Sequence, residues 1–94
     1  LGNIETLVLS ENKISDITPL SILKNLSNLM LGNNVISEVA SLQALYLARH
    51  RLGLVSLTNN PLSQNSRNVI IPWLLNKDVN VITSSTKKRY TTFS

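Results

Sequence analysis

The chain has no cysteine, which removes disulfides, cysteine-ligated metal and a thiol nucleophile together, and leaves the redox compartment open. Only four of its 94 residues are aromatic, so its core has to be built from aliphatic side chains. Its three glycines are scattered and form no phosphate-cradling loop. A metal site needs several convergent ligands and a nucleophilic triad needs an oriented base; the single histidine, His50, supplies neither. Flanked by Arg49 and Arg51, it reads as a solvated side chain near a helix end. The five carboxylates are Glu5, Glu11, Asp16, Glu38 and Asp78, and no two are placed as an acid–base pair. No apolar run approaches the roughly 18 residues of a membrane span. These absences argue against an enzyme. No cofactor and no small-molecule substrate is expected.

Positive charge is abundant only at one end. The formal net charge is +4, but Lys87, Lys88 and Arg89 supply three of the nine basic residues. Without them six bases face five acids, a balance of +1, and the body is nearly neutral. Residues 84–94 are rich in Ser, Thr and Lys with little to bury, so they are expected to form a disordered basic tail. Nucleic-acid binding wants basic residues on an ordered face among stacking aromatics. A flexible tail does not offer that, and at most it supplies weak attraction to a membrane surface or anionic polymer.

What the chain does have is periodic leucine. Around its centre, Leu26, Leu29, Leu31 and Ile36 surround Asn34 in an L-x-x-L-x-L-x-x-N-x-I pattern. Leu29 and Leu31 are two apart, so in a short strand both point to one face and Met30 to the other. Asn34 then sits at a bend, where its amide can donate to and accept from backbone groups that a tight buried turn would leave unpaired. Moved back by 22 residues, this stretch lands on Ile4, Leu7, Leu9, Asn12 and Ile14. In the same register Leu1 matches Leu23, so the first repeat is expected to be preceded by the end of another: an N-terminally truncated array. Between the two strands, Asp16 or Thr18 can start a turn and Pro19 suits the first position of a short helix or 3₁₀ segment. Leu20 and Leu23 then face inward.

The third repeat admits two registers. Leu42, Leu45, Leu47, His50 and Leu52 fit the strand template, but they place bends at 34, 50 and 60, with steps of 16 and 10 that are too short for a full turn of the array. Leu52, Val55, Leu57, Asn60 and Leu62 give a step of 26, which is allowed. Residues 41–51 then become a helical crossing, with Leu42, Leu45 and Leu52 at helical spacing and Ser41 as N-cap. The second register is the better one. Beyond Leu62, residues 63–76 read as a helix with Val69, Ile70, Trp73 and Leu74 as its apolar stripe, kinked or split by Pro72. Trp73 is expected to cover the last leucine layer, and Val79 to Thr83 to form a short strand.

The central spacing resembles the leucine-rich repeat, whose period of about 20–29 residues includes this one. Asn12-Lys13-Ile14-Ser15-Asp16-Ile17-Thr18-Pro19-Leu20 further resembles the repeat of bacterial internalin-like proteins. Asn60-Pro61-Leu62-Ser63, then Ile71-Pro72 and Val79-Asn80-Val81, resembles the closing segment of such arrays. The third unit departs from that pattern, with four extra residues and Ser37-Glu38-Val39-Ala40-Ser41-Leu42 in place of S-D-x-x-P-L. The resemblance implies an α/β solenoid with short parallel strands on a concave face and helical or 3₁₀ segments on the convex side. It implies repeats over 1–62, a capping helix and strand over 63–83, and a secreted or cell-surface location.

On that reading the concave face carries four rows of outward positions. They are Thr6, Asn28 and Leu54; Val8, Met30 and Ser56; Ser10, Gly32 and Thr58; and Glu11, Asn33 and Asn59. Glu11 is the only charge, and Val8, Met30 and Leu54 make an apolar strip within a polar rim. Such a surface suits a protein partner better than an anionic polymer. Two alternatives stand beside it: a purely structural capping fragment with no ligand of its own, and anionic-polymer or membrane binding through the tail.

Overall fold

The computed structural model describes residues 3–83, so the expectation of a disordered tail at 84–94 lies outside the described residues, as do Leu1 and Gly2. Four three-residue strands, β1 (Thr6–Val8), β2 (Asn28–Met30), β3 (Leu54–Ser56) and β4 (Asn80–Ile82), form one parallel sheet in sequence order. Thr6 pairs with Asn28, Asn28 with Leu54, and Leu54 with Asn80. The 26-residue step from β2 to β3 is the register the sequence favours, and the same step recurs from β3 to β4.

Alternation within each strand puts one side chain in the core and two outside. Leu7, Leu29, Val55 and Val81 stack inward from adjacent strands. Leu29 and Val55 are fully buried, while Leu7 and Val81, at the two ends of the column, are only partly covered. Leu31 and Leu57 extend the column beyond the strands and are also fully buried. Each such leucine contributes about 1.5–3 kcal/mol through burial.

The crossings differ because their sequences do. Thr18–Ile22 forms a single 3₁₀ segment with Pro19 at its start. Hydrogen bonding from Thr18, its hydroxyl first and its backbone N–H (3.0 Å to Asp16 Oδ1) second, sets the turn and holds the Asp16 carboxyl below the usual carboxylate range. The longer crossing forms α1 (Ser41–Arg49), burying Leu42 and Leu45. Two details differ from expectation. Ser41 is the first helical residue, Ala40 stands at the cap position, and no side chain caps the helix. Leu52 lies beyond α1, because His50 adopts a left-handed conformation (φ 54°) that ends the helix and turns the chain back toward the sheet.

The last crossing is split ahead of Pro72. Ser66–Ile70 forms a wide turn with π spacing, in which the Ile71 N–H donates to Ser66 O, and α2 (Ile71–Asn76) follows with Pro72 in its first turn. Proline has no N–H to give to a regular helix, and at the start of α2 that loss costs little. The widened turn also shifts the helix phase. Ile70, Ile71 and Leu74 are buried, whereas Val69, expected in the stripe, faces solvent. Leu74 and Val79 close the core, and Trp73 lies only half-buried against its side.

Candidate functional site

The outer face of the sheet is organised by two asparagines beneath it. Asn34 Nδ2 donates to Leu31 O (3.0 Å) in its own unit and to Leu9 O (3.0 Å) in the preceding one, while its Oδ1 accepts the Ile14 N–H (3.1 Å). Asn60 repeats the arrangement one unit on: Nδ2 donates to Leu57 O (3.1 Å) and Leu31 O (2.8 Å), and Oδ1 accepts the Ile36 N–H (3.0 Å). Both side chains are buried. Each clasps two neighbouring units by satisfying backbone groups that have no strand partner at the bend. Asn12, at the same repeat position, is exposed and donates only to Leu9 O and Ser10 O of its own turn.

Past the strands the backbone ladder continues. Leu9 N–H donates to Met30 O (2.8 Å), Leu31 N–H to Ser56 O (2.8 Å) and Leu57 N–H to Ile82 O (2.7 Å). Glu11 N–H reaches Gly32 O (2.9 Å) and Asn33 N–H reaches Thr58 O (2.8 Å). Consequently all eleven residues expected on the face come together there. Thr6, Asn28 and Leu54 share one row and Val8, Met30 and Ser56 the next. Ser10 and Thr58 follow on either side of Gly32, and Glu11, Asn33 and Asn59 occupy the turn. None of the eleven is fully buried, and Val8 is 64% exposed.

Short hydrogen bonds tie the rows together. Asn28 Nδ2 donates to Thr6 Oγ1 (3.3 Å), the Ser56 and Thr58 hydroxyls lie 3.1 Å apart, and Asn59 Nδ2 donates to Asn33 Oδ1 (3.0 Å). Glu11, Asn33 and Asn59 all hold left-handed backbone, with φ of 61°, 60° and 58°. Asparagine enters this region readily; glutamate does so at greater cost, so the turn is best matched to its sequence in the second and third units.

Two members of the face do not appear among the eleven. Asn80 and Ile82 of β4 extend the first two rows, and Ile82 is 41% exposed. The signal was present in the alternation Val79-Asn80-Val81-Ile82 and in the 26-residue step from Leu54 to Asn80. The described residues form no pocket, so whatever meets this face meets an open surface.

These features define a class: short parallel strands repeated at a fixed step, leucines in register, and an asparagine closing each bend. Residues 2–45 match the family model for leucine-rich repeats in two copies, and the chain is a leucine-rich repeat protein. That match spans the first two strands and ends within α1, short of the two 26-residue steps. No curated protein matches the chain.

Proposed function

We propose that this chain is a protein-docking module from the C-terminal end of a bacterial, internalin-like array, and that the outer sheet face is the concave docking surface of its solenoid. Leucine-rich repeats are in general protein-interaction modules, which supports a protein partner. The observation that carries the reading is the row Val8, Met30, Ser56 and Ile82, apolar at three of its four positions and backed by a rigid ladder. Amide and hydroxyl groups surround it, and Glu11 is the only charged side chain in the rows described. This is the pattern of an apolar contact with a polar rim.

Residues 63–83 act in this reading as the closing cap. In support, Ser66 Oγ donates to Ser37 O (2.7 Å) and accepts the Val39 N–H (3.2 Å), pinning the last crossing to the one before it.

The test places a photo-cross-linking residue at Asn28 and, as a control, at Gln43 on α1, in the full chain exposed to extract. A saturable adduct is expected from position 28 and not from 43. The double variant Val8→Asp/Met30→Asp should remove it, because an unpaired carboxylate buried in a contact costs several kcal/mol, equivalent to a loss of affinity of about 30-fold or more. Unchanged thermal stability would show that the variant still folds. An adduct that survives the double variant, or forms only at position 43, contradicts the proposal. No adduct at either position favours the purely structural role.

A further inference from the structure

Away from the sheet, the fold gathers the residue types that the sequence holds fewest of. On the last turn of α1 the rings of Tyr46 and His50 stack, with centroids 4.8 Å apart and planes 11° from parallel. Tyr46 also meets Trp73 of α2 edge-on at 5.9 Å, and Lys77 Nζ stands 5.3 Å from the centre of the Trp73 ring. Arg49 donates to Asn25 Oδ1 at 3.0 Å. Arg51 and Lys77 lie three residues ahead of the paired positions Leu54 and Asn80, so they hold matching places in adjacent units. The cluster therefore runs across successive units as one ridge.

Its chemistry is that of a contact site. Tryptophan, tyrosine and arginine are over-represented at the energetic centres of interfaces. The only tryptophan and the only histidine of the chain are both on this ridge. Tyr46 and Trp73 are half-buried, while Arg49, His50, Arg51 and Lys77 face solvent. Among the described residues, Arg49, Arg51 and Lys77 are not ion-paired. Asp78 is the neighbouring carboxylate, so three cations against one anion leave the ridge at +2 with His50 neutral.

We propose that this ridge is a second docking surface, for an acidic polypeptide segment. Carboxylates of the segment pair with Arg51 and Lys77, and an apolar side chain rests on the uncovered edges of Tyr46 and Trp73. Single-stranded nucleic acid fits less well, because it needs open ring faces for base stacking. Here His50 takes a face of Tyr46, Lys77 takes a face of Trp73, and both rings pack against the core.

The experiment titrates the full chain into a fluorescein-labelled peptide of glutamates interrupted by single leucines, with labelled oligothymidylate in parallel. Saturable peptide binding that weakens with salt and shifts Trp73 emission is expected. Arg51→Glu/Lys77→Glu should weaken it by about tenfold or more, since both residues are exposed and like charges would then face each other. The variant should keep its melting temperature. Val8→Asp/Met30→Asp should bind the peptide like the parent chain, which separates this surface from the sheet face. Lys87→Ala/Lys88→Ala/Arg89→Ala should also retain binding. The proposal fails if the peptide does not saturate, if Trp73 emission does not move, or if the ridge variant binds as well as the parent. It fails equally if only the triple alanine variant loses binding, or if oligothymidylate binds more tightly.

Discussion

Asn60→Ala is expected to destabilise the chain by about 3–5 kcal/mol, because it orphans buried backbone groups at about 1–3 kcal/mol each. The side chain satisfies three groups that no strand reaches: the Ile36 N–H, Leu31 O and Leu57 O. Alanine supplies neither a donor nor an acceptor, and the site is 8% exposed, which keeps bulk water from replacing the lost amide. For a domain of this size each kcal/mol moves the melting temperature by about 4–8 °C, so a fall of at least about 12 °C is predicted. Asn12→Ala is the internal control. It removes the same side chain from the same repeat position, but the two carbonyls it serves lie at an exposed turn. A loss below about 1 kcal/mol is expected there, since solvent can hydrate both carbonyls. Equal effects from the two substitutions in urea titrations would show that the buried clasp is not what joins the units.

Leu29→Ala is predicted to cost about 3–5 kcal/mol, the upper part of the range for leucine truncation in a close-packed core. Leu29 has no exposed surface and lies between Leu7 and Val55 in the inward column. The flanking strands are tied by backbone hydrogen bonds on both sides, so the surroundings cannot collapse into the void. Leu7→Ala removes the same atoms from a position already in partial contact with solvent, and should cost about half as much. The urea midpoints of the two variants check the difference. Similar midpoints would mean that the column is not packed in layers as described.

Much of this fold was legible because the repeat displays each decision more than once. Leu7 with Leu9 and Leu29 with Leu31 state the strand twice, and the spacing from Asn34 to Asn60 decides between competing strands in the third unit. His50 could have taken the asparagine position by pattern alone; a step of 16 residues excluded it, and the structure uses His50 to end α1 instead. Legibility fell where a feature occurs once. Pro72 announced a break, but not that the hydrogen-bond step would widen before it and carry Val69 out to solvent while bringing Ile71 in. The role of Ser63 is a similar case, since its hydroxyl accepts the Ser66 N–H (3.1 Å) only because this turn is drawn against Ser37.

The outer face could be read residue by residue, since alternation within a strand and repetition between strands fix which side chains point outward. Its last column was harder to see: β4 has isoleucine and asparagine where earlier units have other residues, and no bend asparagine follows it. The aromatic ridge left no trace in the sequence. Tyr46 and Trp73 are 27 residues apart and belong to crossings of different length and helical type, so no periodicity relates them. They meet only after both crossings pack against the shared column.

Backbone NOE spectroscopy tests the register of the parallel strands, on which both surfaces depend. Cross-strand contacts should link Leu7 with Leu29, Leu29 with Val55 and Val55 with Val81. Contacts pairing Leu29 and Leu31 with Leu45 and Leu47 as the adjacent strand would contradict it, since the crossing helix and the face built above it could not then exist.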